Sequence, residues 1–248
     1  AAAVSAATVA SNIGSVGAPR SPQAALSTLS QAQLARMEQP AVCYAPGTSP
    51  DVVRRNALRR QSLLTALQGP GFQFSDGSRW SCTATDGCGL TQGQVTTLTW
   101  NVVPDGTAVG GFNGEAAAPS NLKAFLNGIY GSEATWITHF QSVFDQWGAL
   151  TGINYVKVAY DDGADLSFAN GGQLGVRADV RISGHLIDGN YNVLAYNFFP
   201  TFGDMVIDTG DAYYSSPGGG LANGSLGFKN MLAHEHGHGL GLQHSCPI

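Results

Sequence analysis

The sequence predicts an α+β domain with α/β-like layers, in which a mostly buried helix lies behind a twisted sheet. Three observations carry this prediction. Short runs rich in β-branched and aromatic residues recur through residues 96–208, one long amphipathic segment interrupts them, and a second helical segment follows the last run. At 248 residues the chain can bury a substantial core as one or two domains.

Four regions are expected along the chain. Residues 1–22 are rich in Ala, Ser and Gly and are expected to be disordered or a trimmed signal region. Residues 23–70 form a helical N-terminal region, in which a Pro-rich loop that holds Cys43 separates two stretches with helical spacing. Residues 71–94 turn like a hairpin and form a connector, and residues 95–248 form the main domain.

The main domain begins with a strand at residues 96–103, which ends at Pro104. Residues 132–150 form an amphipathic helix whose apolar side chains share one face: Ile137, Phe140, Val143, Phe144 and Trp147. Five further strands are expected at residues 154–160, 164–169, 178–183, 193–199 and 204–208. A Gly-rich loop then leads into a helix that begins near Leu226.

The composition excludes several classes of function. Charged residues make up 12% of the chain, Gly accounts for 33 residues, and the net charge is −5, which is more typical of an extracellular globular protein than of a disordered one. No basic stripe accompanies exposed aromatic residues, so a nucleic-acid partner is not expected. No apolar run is long enough to span a bilayer. The sequence leaves the oligomeric state open.

The sequence predicts a disulfide partner for only two of the four cysteines. Cys82 and Cys88 flank the turn signal at Asp86, so a hairpin disulfide and an oxidising compartment are expected. Cys43 and Cys246 have no obvious partners, and for Cys43 both a disulfide and a free thiol remain open.

The most specific pattern is H-E-x-x-H-x-x-G-x-x-H, which fits His234, Glu235, His238, Gly241 and His244. In a helix, His234 and His238 lie four residues apart on one face and can bind the same metal ion. Gly241 permits a left-handed turn that returns His244 as a third nitrogen ligand. Three imidazoles with an open fourth position are typical of catalytic zinc.

Glu235 follows the first ligand and is the expected general base, which deprotonates the zinc-bound water. The alternative is a His-rich and Gly-rich tail that binds metal adventitiously. The extended motif favours the catalytic interpretation, because five fixed positions seldom coincide by chance. His236 lies on another face of the helix and is expected behind the ligands or at the surface.

This motif resembles that of the metzincin zinc metalloproteases, and Ser245 after the third His is similar to the matrixin branch. The resemblance covers roughly residues 95–248 and implies a catalytic upper subdomain with a twisted, mostly parallel sheet, a backing helix and a zinc-binding helix. It also implies a propeptide-like role for residues 23–70. Metzincins continue into a Met-turn, whereas no Met follows His244. The sequence is therefore expected to be C-terminally incomplete and, by itself, a poor protease.

The resemblance further implies a structural calcium site. Its expected ligands are three carboxylates and three main-chain carbonyls, from Asp188, Asp208 and Asp211 and from Gly189, Tyr191 and Val193. Oxygen ligands of this kind suit a hard cation such as Ca²⁺. Ordinary Asx turns are the alternative interpretation of the same residues.

Two other family features are altered in this chain. Matrixins hold a structural zinc with three His and an Asp, but here Tyr196 and Val206 stand where two of these His would be, and no second zinc is expected. His185 remains nearby and is expected in a loop or behind the metal ligands. The C-x-x-P pattern from Cys43 to Pro46 is similar to the family's cysteine switch, in which a propeptide thiolate caps the zinc, although its flanking residues differ.

Together these features predict a secreted zinc-dependent endopeptidase that acts on peptides or proteins in extended conformation. The strand at residues 193–199 is expected at the sheet edge above the metal, where Leu194 and Ala195 contact the substrate backbone. The alternative is a non-catalytic metal-binding module or an inactive truncated remnant. Zinc content and peptide cleavage together separate these two possibilities.

Overall fold

Ten strands run through the described part of the chain, which in the computed structural model comprises residues 41–55, 79–167, 170–190 and 192–244. In chain order they are β1 (Ala41–Tyr44), β2 (Cys82–Thr83), β3 (Gly87–Cys88), β4 (Thr97–Val102), β5 (Ala108–Val109), β6 (Ala118–Pro119), β7 (Asn154–Lys157), β8 (Val180–His185), β9 (Val193–Asn197) and β10 (Met205–Asp208). Two pairs, β2 with β3 and β5 with β6, form short hairpins.

The other six strands form one sheet in the order β1-β9-β10-β8-β4-β7. Strands β10, β8, β4 and β7 are parallel to one another, whereas β9 is antiparallel to both β10 and β1. The expected mostly parallel sheet is confirmed. Both faces of this sheet are covered, and β8, β9 and β10 are buried along their whole length, as is typical of strands in a layered α/β structure.

Three helices pack with the sheet: α1 (Leu122–Tyr130), α2 (Glu133–Thr151) and α3 (Ala222–Gly239), with a short 3₁₀ helix at Ala212–Ser215. The predicted amphipathic helix is α2, and its buried face stacks on the sheet through Trp100 and Phe144, whose ring centroids lie 4.4 Å apart. Burying each side chain of this size contributes about 1.5–3 kcal/mol. Helix α2 therefore forms the rigid backing against which α3 packs.

Two apolar clusters lie on opposite faces of the sheet. The helix-side cluster joins side chains of the sheet with those of all three helices, among them Trp100, Phe140 and Phe228. The loop-side cluster is closed by residues of the 103–112 segment and includes Val103, Tyr196 and Phe198.

Several expected elements differ from the observed ones. Residues 41–44 form a strand and not a loop, because their main chain pairs with β9. Within residues 164–169, Leu166 makes an isolated bridge with Val109 but no strand forms, and residues 168–169 lie outside the described residues. Of the predicted N-terminal helices, the described part contains the start of the second, at residues 50–55.

Candidate metal centre

Helix α3 carries the H-E-x-x-H pattern and is fixed on both sides by aromatic residues. Its N-terminal end has left-handed backbone at Asn223, Gly224 and Ser225, so the regular helix begins at Leu226, as predicted. Phe228, Met231, Leu232 and Glu235 are buried at helical spacing. Indole nitrogens of Trp147 and Trp80 donate to the carbonyls of Ala233 and Gly239, at 3.2 and 2.9 Å.

The chain reverses directly after the helix, as Gly241 was predicted to allow. Gly241 adopts a φ of +96°, and its N–H donates to the carbonyl of His238 at 2.8 Å. The turn also places the Leu242 carbonyl 2.7 Å from Nδ1 of His238. That contact favours the tautomer with hydrogen on Nδ1, which leaves Nε2 of His238 free of hydrogen for a metal ion.

The three predicted zinc ligands converge. Nε2 of His234 lies 2.9 Å from Nε2 of His244 and 3.1 Å from Nε2 of His238. A tetrahedral site with Zn–N bonds of about 2.0–2.1 Å has ligand atoms about 3.3 Å apart, so the three nitrogens fit one zinc ion. Partial desolvation lowers the pKa of His234, which favours the neutral imidazole that metal binding requires.

Glu235 and Cys43 lie beside these nitrogens. The carboxylate of Glu235, the thiol of Cys43 and a ring nitrogen of His234 are all within 4.8 Å of one another. Glu235 is fully buried, and its carboxylate lies within 4.8 Å of a ring nitrogen of His234. The sequence predicted Glu235 at this position.

Cys43 reaches the metal centre from β1, where it is paired with Ala195 of β9. It is a free thiol among the described cysteines, since Cys82 and Cys88 form the predicted disulfide, and Cys246 lies outside the described residues. Burial raises the pKa of the Cys43 thiol, and the nearby charge of Glu235 raises it further. The sequence left the role of this residue open, and the strand pairing brings it to the histidines.

His236 is completely buried and not at the surface. Its Nε2 lies 2.7 Å from the hydroxyl of Tyr155, and its ring meets Phe144 edge to face at 4.7 Å. Burial lowers the pKa of His236 to about 3, so the ring is neutral. His236 thus links the metal-binding helix to β7 and α2, a contact that sequence spacing alone did not reveal.

Among the predicted calcium ligands, the carboxylate of Asp208 is bound by main-chain N–H groups. Asp208 accepts hydrogen bonds from the N–H groups of four residues: Ile187, Asp188, Gly189 and Gly210. Asp188 accepts from the N–H of Val193, and Asp211 from that of Tyr213. Burial raises the pKa of Asp188 to about 6, with further contributions from Asp208 and Asp211.

These carboxylates are not among the described groups in which three ligand atoms lie within 4.8 Å of one another. The expected carbonyl ligand Tyr191 lies outside the described residues. The geometry therefore gives the calcium prediction no direct support.

A buried polar cluster occupies the region around His185. His185 lies in strand β8 and not in a loop, and its Nε2 is 3.3 Å from the carboxylate of Glu115. The Tyr196 hydroxyl donates to the same carboxylate at 2.8 Å. Glu115 also accepts hydrogen bonds from the N–H groups of Phe112 and Asn113. The sequence missed Glu115, because its partners are 70 and 81 residues away.

Replacing Glu115 by Ala is expected to cost about 2–5 kcal/mol of stability, because two buried donors lose their acceptor. Burial would raise the pKa of Glu115, but hydrogen bonds from His185, Tyr196 and the main chain lower it overall. A carboxylate with a lowered pKa stabilises the fold above its unfolded pKa of about 4.3, and this contribution is lost as the pH falls through the folded value.

Urea unfolding at pH 7 and near pH 4 measures this effect. The exposed Glu133 provides the matched control through Glu133→Ala. We expect the difference between Glu115→Ala and the wild type to shrink at the lower pH. A difference that stays below 1 kcal/mol at pH 7, or that does not change with pH, would contradict the role given to the cluster.

Comparison with known proteins finds a family model that matches the part of the chain around these features. The family model described as matrixin matches residues 129–247, which include helix α2, strands β7 to β10 and the three histidines. No curated protein matches the chain. None of the helices in the described residues is long and apolar enough to cross a membrane.

Proposed function

We propose that this chain, which is similar to the matrixin family over residues 129–247, is a secreted zinc-dependent endopeptidase. The convergence of three imidazole nitrogens beside a buried carboxylate is the observation that carries the proposal. Three nitrogen ligands with space for a fourth are the donor set of catalytic zinc, whereas structural zinc is enclosed by four protein ligands.

The residues of the site divide into two roles. His234, His238 and His244 would hold the zinc, which polarises a carbonyl group and lowers the pKa of water to about 7. Glu235 accepts the proton of the attacking water and passes it to the leaving amine. A completely buried carboxylate suits this role, since little bulk water competes for the proton.

Two features support secretion. The Cys82–Cys88 disulfide is compatible with an oxidising compartment, and the composition has few charges. The alternative function, a non-catalytic metal-binding module, would share the zinc site but not the turnover. Cleavage is therefore the deciding observation.

We further propose that the described conformation is latent. Strand β1 pairs with the main chain of β9, which was expected at the sheet edge, so a substrate peptide must displace β1 to pair there. The Cys43 thiol lies within 4.8 Å of a ring nitrogen of His234 and of the Glu235 carboxylate. A thiolate is a strong zinc ligand, and Cys43 can thus take the fourth position.

Replacing Cys43 by Ala is expected to raise cleavage of an unfolded protein substrate by about tenfold, the effect of losing one interaction worth about 1.4 kcal/mol. New N-termini in the substrate, identified by mass spectrometry, measure the cleavage in zinc-loaded protein. The double variant Cys43→Ala/Glu235→Ala is the control for contaminating proteases. If the wild type and Cys43→Ala both bind zinc but neither cleaves the substrate, the non-catalytic alternative is favoured.

Calcium remains a prediction for the loop at Asp188. If Ca²⁺ binds there at a concentration of about 100 times its Kd, it adds about 2.7 kcal/mol, or about 5–10 °C in Tm. EGTA at fixed free zinc should lower the Tm by this amount in the wild type and in Asp145→Asn, an exposed control on α2. It should have no effect on Asp188→Asn. An unchanged wild-type melting curve, with no calcium in the protein, would rule the site out.

A further inference from the structure

Strand β1 lies where an extended peptide would bind. It pairs antiparallel with β9, with Val42 opposite Tyr196 and Cys43 opposite Ala195. The pairing continues beyond the strand, where the N–H of Ala45 donates to the carbonyl of Asn192 at 2.6 Å. Residues 41–45 therefore use the main-chain groups of β9 that β-addition would offer to a substrate.

The side chains of this segment alternate between the two faces of the sheet. Cys43 and Ala45 pack in the helix-side cluster, which also contains Leu194, whereas Val42 and Tyr44 pack in the loop-side cluster. Because the Cys43 thiol lies within 4.8 Å of a His234 ring nitrogen and of the Glu235 carboxylate, the position of Cys43 corresponds to the residue of a bound peptide that lies beside the metal site. The other positions of a bound peptide are then defined by how many residues separate them from the one that corresponds to Cys43.

Two of these positions are tightly enclosed. Ala45 is 5% exposed and Val42 is 2% exposed, although Pro46, the next residue, is exposed. The cluster around Ala45 includes Tyr214, whose hydroxyl donates to the carbonyl of Leu194 and fixes that wall. A space filled by one methyl group and bounded by fixed side chains cannot accept a large residue without strain.

We propose that peptide substrates bind beside β9 in the direction and register of residues 41–45. The preferred pattern is an aliphatic residue immediately before the residue at the metal centre and Ala or Gly two positions after it. This inference rests on the proposed endopeptidase function and adds the substrate class. Val42 and Ala45 of the chain itself then occupy the two positions where the preferred side chains of a substrate would bind.

Binding of labelled peptides tests the register. The probe is Pro-Ala-Val-Ser-Tyr-Ala-Pro-Gly, the sequence of residues 40–47 with Ser in place of Cys43. The protein is the full zinc-loaded chain with Glu235→Gln, to prevent turnover, and Val42→Asp, to release its own strand from the apolar cluster. Fluorescence anisotropy gives the Kd.

We expect Ala45→Trp in the peptide to weaken binding by about tenfold or more, and Pro46→Trp, at the exposed position, to change it by less than about threefold. Equal effects of the two Trp substitutions would overturn the proposed register, as would no binding of the parent peptide.

A second measurement does not need the strand to be released. In the zinc-free full chain, Ala45→Trp should expel β1 and raise the alkylation rate of Cys43 by about tenfold, whereas Pro46→Trp should leave it unchanged. Equal alkylation rates in the two variants would contradict the enclosed position at Ala45.

Cleavage of an unfolded protein by the Val42→Asp chain, with Glu235 intact, separates this inference from the proposed function. Cleavage at sites without a small residue at the Ala45 position would overturn the register and leave the endopeptidase function standing. If the protein distinguishes the Ala45→Trp peptide from the Pro46→Trp peptide in binding but cleaves no substrate, the register is supported and the endopeptidase function is contradicted.

Discussion

Replacing Glu235 by Gln leaves zinc bound and lowers kcat for peptide hydrolysis by about 10²–10⁴-fold, the usual contribution of a general base. The amide has nearly the shape of the carboxylate but does not accept the proton of the attacking water. In the proposed site, His234, His238 and His244 would hold the metal and Glu235 would not be a ligand, so the zinc content should not change. Elemental analysis and initial rates, both measured in a Cys43→Ala background, give the two quantities.

The exposed Glu133 on α2 provides the matched control for this loss. Glu133→Gln makes the same chemical change far from the histidines along the chain, and its kcat should stay near that of the parent. An undiminished kcat in Glu235→Gln would rule out the general-base role. Loss of zinc together with activity would show instead that Glu235 maintains the metal site.

Replacing His238 by Ala is expected to weaken zinc binding by more than about 100-fold, since even residues that only orient ligands change metal affinity by about 10–100-fold. The ring of His238 is held at both nitrogens: its Nε2 lies 3.1 Å from Nε2 of His234, and its Nδ1 lies 2.7 Å from the Leu242 carbonyl. Two imidazoles would then remain, and they do not form the three-ligand set of catalytic zinc. Competition with a chelating dye measures the affinity.

The substitution His139→Ala is the control, because it also removes an imidazole but does so on α2 and not at a predicted zinc ligand. His139 lies half-buried on α2 against Tyr130 and Phe228, and His139→Ala should keep the wild-type zinc affinity. Full zinc stoichiometry and affinity in His238→Ala would contradict the assignment of the metal centre to these three histidines.

The parts of the fold and site that the sequence predicted are those determined locally. The motif from His234 to His244 depends on helical periodicity and on one turn at Gly241, and both are readable from spacing. Strands β4, β8, β9 and β10 were predicted from their apolar runs, and the confirmed parallel sheet followed from the family resemblance.

The parts that the sequence did not predict depend on contacts between distant residues. Residues 41–44 have no local pattern that distinguishes a strand from a Pro-rich loop, and it is the pairing with β9 that makes them a strand. Glu115 lies in a loop whose partners, His185 and Tyr196, meet it only in the folded chain. His236 is buried because α2 covers its face of the helix.

The calcium prediction illustrates a different limit. The sequence shows the carboxylates of Asp188, Asp208 and Asp211 but not the main-chain N–H groups that bind them in the fold. Asp208 has four such donors, which also stabilise a carboxylate without any cation. Spacing alone therefore could not distinguish a cation site from a network of turns.

A zinc titration of cleavage tests the central claim most directly. Cys43→Ala protein is stripped of metal and titrated with zinc, and the initial rate of peptide cleavage is followed together with bound zinc. We expect the rate to rise linearly and to reach its plateau at about one zinc per chain, since one three-histidine site holds one ion. A rate that does not respond to zinc, or a plateau at about two zinc ions per chain, would contradict this assignment.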